Sequence, residues 1–110
     1  MEIGMVFPVL PGKDESLTEF CRQLMNERKA EFELSQVSIS KEGWWLQPTP
    51  MGTFCVVHFV ANDPMAVFVG LGSSQEPFDV WFRQEVLANT GVDLTVPPPG
   101  LPTQIFDWKR

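Results

Sequence analysis

Apolar residues recur at every second position along residues 2 to 10. Ile3, Met5, Phe7 and Val9 fall on one side, and Val6 and Leu10 on the other. A period of two is that of a β-strand. Apolar groups on both sides predict a strand from the middle of its sheet. Pro11 and Gly12 end it. The period then changes. Leu17, Phe20, Cys21, Leu24, Met25 and Phe32 share one side at about 100° per residue, which predicts a helix from about residue 14 that fades near residues 35 to 38. Asp14 or Ser16 is its candidate cap. Alternation returns over residues 43 to 48 and again over 53 to 61, joined by PTPMG, a hairpin connection. In the third strand Phe54, Val56, His58 and Val60 take one side, and Cys55, Val57 and Phe59 the other. It too is predicted to be central.

Asn62-Asp63-Pro64 is a helix start, with Asp63 as cap and Pro64 in the first turn. The short apolar helix that follows is expected to break at Gly70 and Gly72. A second piece runs from near Pro77 to about Thr90, with Gly91 as its stop. Phe78, Trp81, Phe82 and Val86 form its inward stripe. VPPPGLP, residues 96 to 102, can neither continue a helix nor pair inside a sheet. Thr103 to Trp108 are predicted as a last strand.

The order is β-α-β-β-α-β. It predicts an α+β, ferredoxin-like domain over residues 1–110, with a four-stranded antiparallel sheet and two helices on one face. Two helices cover only one face of such a sheet. The other face keeps large apolar groups from the first and third strands, and a bare patch of that size is unusual on a monomer. The expected solution is a two-fold homodimer, sheet against sheet. Burying about 800 Å² of apolar surface per subunit gives a gross gain of about 20 kcal/mol, much of it offset by the cost of association.

Composition narrows the function. Of the 110 residues 44% are hydrophobic and 12% aromatic, so the chain can build a core. A net charge of −6 with no basic cluster argues against a nucleic-acid partner. No apolar run approaches the roughly 20 residues that span a bilayer. The start, MEIGMVFPVLPG, reads as a strand rather than a signal peptide, so a cytoplasmic location is expected. Cys21 and Cys55 are expected as buried free thiols. One histidine and scattered carboxylates give no metal-ligand spacing. No phosphate-binding glycine loop or nucleophile elbow is present.

The stretches WLQPTPMGTFCVVHF, ANDP, PFDVWF and GVDLTVPPPG resemble a family of small uncharacterised bacterial proteins. That family is similar to the dimeric α+β barrel superfamily, which includes antibiotic-biosynthesis monooxygenases and haem-degrading enzymes. The resemblance runs from VLPGK at residues 9 to 13 to Asp107-Trp108. It implies the fold and a dimer, and it leaves the reaction open. Haem-degrading members carry a histidine on a helix, whereas His58 falls in a strand. That departure speaks against a haem activity, and no cofactor is expected.

Polar residues inside apolar stripes are the candidate chemistry. Arg28 falls on the inward side of the first helix, with Glu31 and Ser35 after it. Glu85 falls between Trp81, Phe82 and Val86, with Asn89 one turn later. Arg28 and Glu85 are expected either to pair or to reach past the core edge. A Glu85 enclosed without a partner becomes a candidate acid or base. His58 is either a core histidine or a base beside Trp44 or Trp45. Of that pair, one faces the helices and one the inter-sheet space. His58, Trp44, Trp45, Arg28 and Glu85 are thus the candidate ligand-binding residues, and His58 and Glu85 the candidate catalytic ones. Three readings follow. The first is a dimer that binds a small apolar or aromatic molecule. The second is a purely structural or partner-binding dimer. The third is a cofactor-independent monooxygenase or isomerase with His58 as base.

Overall fold

The structure is a computed structural model that describes residues 1–110. It is α+β: a three-stranded antiparallel sheet carries four helices. The strands are Glu2–Pro8 (β1), Ile39–Thr49 (β2) and Gly52–Ala61 (β3). The helices are Asp14–Met25 (α1), Lys29–Ser35 (α2), Pro64–Ser73 (α3) and Pro77–Thr90 (α4). The sheet order is β1-β3-β2, with Ile3 opposite Phe59 and Trp44 opposite Val57.

Period-two alternation sorts the sheet as expected. Ile3 and Val9 with Cys55, Val57, Phe59 and Ala61 are buried beneath the helices. The opposite face has no cover. Its rows, read across β1, β3 and β2, are Glu2–Val60–Lys41, Gly4–His58–Gly43, Val6–Val56–Trp45 and Pro8–Phe54–Gln47. Val6 and Trp45 there are exposed.

The helices depart from the expected two. The long first helix divides at residues 26 to 28. The Asn26 side-chain amide donates to the Arg22 carbonyl (2.7 Å), the acceptor that the Asn26 backbone N–H would use in a continuous helix. That N–H turns to Gln23 O instead, and the Arg28 N–H shares the same carbonyl. The second expected break falls elsewhere than predicted. Gly70 and Gly72 lie within α3, which ends at Ser73, and the interruption is the extended Ser74–Glu76 link before Pro77. A residue preceding proline disfavours helical backbone. Gly72 has a packing role: a Cβ there would collide with the Leu94 carbonyl oxygen. The cap predicted at Asp14 or Ser16 does not form: Lys13 stands at the N-cap position of α1 without a side-chain cap bond, and the Asp14 carboxylate accepts from Thr53 Oγ1 (3.1 Å) instead. Two other caps behave as predicted. Asp63 accepts from Ala66 N–H (3.2 Å), and Gly91 closes α4 at φ +75°.

Two strand expectations are corrected. Thr103 to Trp108 form no strand, so the sheet has three strands rather than four, and β1 is an edge strand rather than a central one. The segment lies exposed, with Ile105 93%, Phe106 80% and Trp108 62% accessible. β2 begins four residues before the expected position 43, and this changes the site.

Candidate functional site

Extending β2 to Ile39 puts Glu42 in register with Trp44 and Leu46, two and four residues on, and all three face the helices. Glu42 is a carboxyl set among apolar groups, and sequence reasoning missed it. Its Oε2 accepts the Trp44 indole N–H (2.6 Å). Its other oxygen, Oε1, accepts no protein hydrogen bond and is not sealed from outside. Burial raises its pKa above the ordinary carboxylate range, and the indole hydrogen bond only partly opposes this. A carboxyl that is hard to ionise inside an apolar wall marks a functional-site candidate.

Two spaces meet at this side chain. The interior cavity between sheet and helices, lined by Glu42, Phe59, Phe68 and Phe82 among others, has a volume of about 40 Å³. It holds a water or two at most. The second is a half-open pocket of about 180 Å³ along the free edge of β2, between that strand and α1 and α2. Leu24, Met25, Phe32, Trp44 and Cys21 form its walls, with Glu42 its only carboxyl. Apolar cavities of about 150 Å³ take a benzene ring.

Trp44 is fixed from behind by an aromatic cluster. The Phe20 ring lies 6.0 Å from Trp44, 5.2 Å from Trp81 and 5.3 Å from Phe82, centroid to centroid. The thiols around the pocket are free. Burial first, and then the neighbouring Cys55 and Glu42, push Cys21 up to about 12; burial pushes Cys55 up to about 11. Both are protonated at neutral pH and are poor nucleophiles.

The five sequence candidates do not form one constellation. Trp44 belongs to this pocket. His58 and Trp45 lie on the opposite, uncovered face. There His58 has glycine as its cross-strand neighbour on both sides, Gly4 and Gly43. The Trp45 indole lies over Gly43, 3.1 Å from where a Cβ would stand, while nothing lies over Gly4. Glu2 Oε1 lies 3.5 Å from His58 Nε2 on the same face. Arg28 stacks on Trp81, 3.9 Å from the ring centroid, and pairs with Glu31 (2.9 Å). It does not meet Glu85, whose carboxylate and backbone oxygens instead receive the Asn89 amide. A further polar group, Asp79, accepts from Ser35 and from Ser74 (2.6 Å) and ties α2 to the α3–α4 link. No group of three or more His, Cys, Asp or Glu side chains is placed to hold a metal ion. No helix is long and apolar enough to cross a membrane.

The raised pKa of Glu42 gives a signed prediction. Below the ordinary carboxylate pKa, Glu42 is protonated in both folded and unfolded chains and costs nothing. As the pH rises past that value the unfolded chain ionises first, and stability is lost until the folded pKa is passed. Gln at this position keeps the acceptor for Trp44 and removes the titration. Thermal melts should therefore show Glu42→Gln close to the natural protein at pH 4. By pH 8 it should be more stable by about 1 kcal/mol, in the range of mutations that relieve a destabilised site. A difference that stays constant with pH would mean that Glu42 is not held in an ion-disfavouring setting.

Comparison with protein-family models, with curated proteins and with solved structures finds no match, so the geometry described above carries the functional reading by itself.

Proposed function

We propose that the chain is a dimeric α+β barrel protein that binds a small apolar or aromatic molecule in the pocket beside Trp44. The carrying observation is Glu42: one carboxyl without a basic partner, in a pocket otherwise walled by apolar side chains. Binding pockets combine apolar walls with a few placed polar groups in this way. The volume, about 180 Å³, suits a single ring.

The dimer is supported by the uncovered face. Its rows complement themselves. A two-fold axis along the strands, above β3, sets Glu2 against the partner's Lys41 and Val56 against the partner's Val56. The order β1-β3-β2 comprises three strands of the ferredoxin-like four, and β1 has no ladder on its outer side. Thr103 to Trp108, exposed and apolar, supply the fourth strand on that edge once two copies meet. In this arrangement His58 and Trp45 belong to the interior between the sheets. An oxygenase or isomerase with His58 as base has less support, because His58 lies across the sheet from the pocket.

The test is a titration followed by the indole N–H resonances of the four tryptophans. Toluene, indole and benzylamine serve as probes. At least one should shift the Trp44 signal while leaving the exposed Trp108 signal in place. If no probe moves Trp44 at millimolar concentration, the pocket is not a binding site.

A further inference from the structure

We infer that the pocket selects a small primary amine carried on an apolar or aromatic body, with Glu42 as its counter-ion. The inference rests on the reading of this pocket as a binding site and adds the chemical class of the ligand.

Charge comes first. Of the groups lining the pocket, Glu42 is the only carboxyl, and no Lys, Arg or His is among them. From α1 the polar neighbour is the Cys21 thiol, which stays protonated. Just past α2, the neutral Gln36 lines the adjoining interior cavity rather than the pocket, and its amide is engaged with Ser35 Oγ (2.9 Å). β3, α3 and α4 present only apolar groups to the adjoining cavity. Glu33 and Lys41 line a shallower cleft on the far side of Glu42. They carry opposite charges, and neither is bonded to it. The protein thus leaves its own carboxylate uncompensated.

The free oxygen then decides what fits. Oε2 is occupied by the indole N–H, and Oε1 is open to a donor. An alcohol or indole N–H offers one neutral hydrogen bond. An ammonium offers a charge-assisted bond, roughly twice as strong, and removes the penalty of an unpaired charge in an apolar wall. The aromatic rings of Trp44 and Phe32 in the wall also favour a cation that lies over a ring face. An anionic ligand would face Glu42 with no base to hold it. The apolar walls meanwhile require a body of hydrocarbon rather than a bare ammonium.

Three probes with the same ring separate these cases: benzylamine, benzyl alcohol and benzoate. Each is titrated against the natural protein and against Glu42→Gln, with the Trp44 indole signal as readout. Benzylamine is expected to bind the natural protein at least about tenfold tighter than benzyl alcohol, the worth of one charged hydrogen bond over a neutral one. In Glu42→Gln that ratio falls to about one. Benzoate does not bind. Benzylamine affinity rises with pH through the raised Glu42 pKa, because the amine stays protonated while the carboxyl must lose its proton. Equal binding of amine and alcohol, or a ratio unchanged in Glu42→Gln, would overturn the amine assignment and leave the pocket standing. Preference for benzoate would overturn it too. Silence from all three probes would remove the pocket itself.

Discussion

Val56→Asp is expected to halve the particle. Light scattering at micromolar concentration should give about 25 kDa for the natural protein, twice the 12.5 kDa chain, and a single-chain mass for the variant. Val56 lies on the central strand of the uncovered face, between Val6 and Trp45. In a two-fold packing about an axis along β3 it meets its own copy, so one substitution installs two facing carboxylates. Opposed like charges at an interface cost several kcal/mol. Within a single chain the same residue is only half-buried and points away from the helices. The variant should therefore keep its far-UV circular dichroism. The paired outcome separates loss of association from loss of fold. A natural protein that weighs one chain under these conditions would end the dimer reading, and with it the role given to His58 and Trp45.

The legible parts of this fold are those fixed by side-chain period. Trp44 and Trp45 had to take opposite faces of β2, and they do. The split of β3 into Cys55, Val57, Phe59 against Phe54, Val56, His58, Val60 follows in the same way. What escaped depended on single hydrogen bonds or on weak strand formers. No periodicity reveals that the Asn26 amide will take the Arg22 carbonyl and divide a helix. Ser40, Lys41 and Glu42 carry poor strand signals. Only pairing with β3 extends β2 through them. Once the strand reaches residue 42, alternation from Trp44 turns Glu42 inward, and that was the signal available in the sequence. Glu85, the acid chosen from the helix, instead faces Asn89 on its own element. The last strand failed for another reason. Its pattern is apolar, but a period of two does not say where a segment will pair: residues 103 to 108 stay off the sheet although the outer edge of β1 is free.

Phe20→Ala tests the packing that holds the pocket. Phe20 is 2% accessible and touches Trp44, Trp81 and Phe82, so it joins α1, β2 and α4 at one point. Truncating a buried phenylalanine costs about 3–5 kcal/mol, as lost transfer energy plus the cavity left behind. The three ring pairs account for only part of this, at about 0.5–1.5 kcal/mol each and not additively. Against a total stability of about 5–15 kcal/mol for a domain of this kind, the loss decides whether much of the protein is folded at all. Urea unfolding followed by circular dichroism should show the midpoint falling steeply. The comparison is Leu34→Ala on α2, where the side chain is 77% accessible and the change should stay within about 0.5 kcal/mol. The indole of Trp44 leans on Phe20 and donates to Glu42. What remains folded in Phe20→Ala should therefore also lose the ordered Trp44–Glu42 contact, seen as a broadened Trp44 indole resonance. A variant that kept both its stability and that resonance would mean that the tryptophan is positioned from the sheet alone, and that α1 and α4 merely cover it.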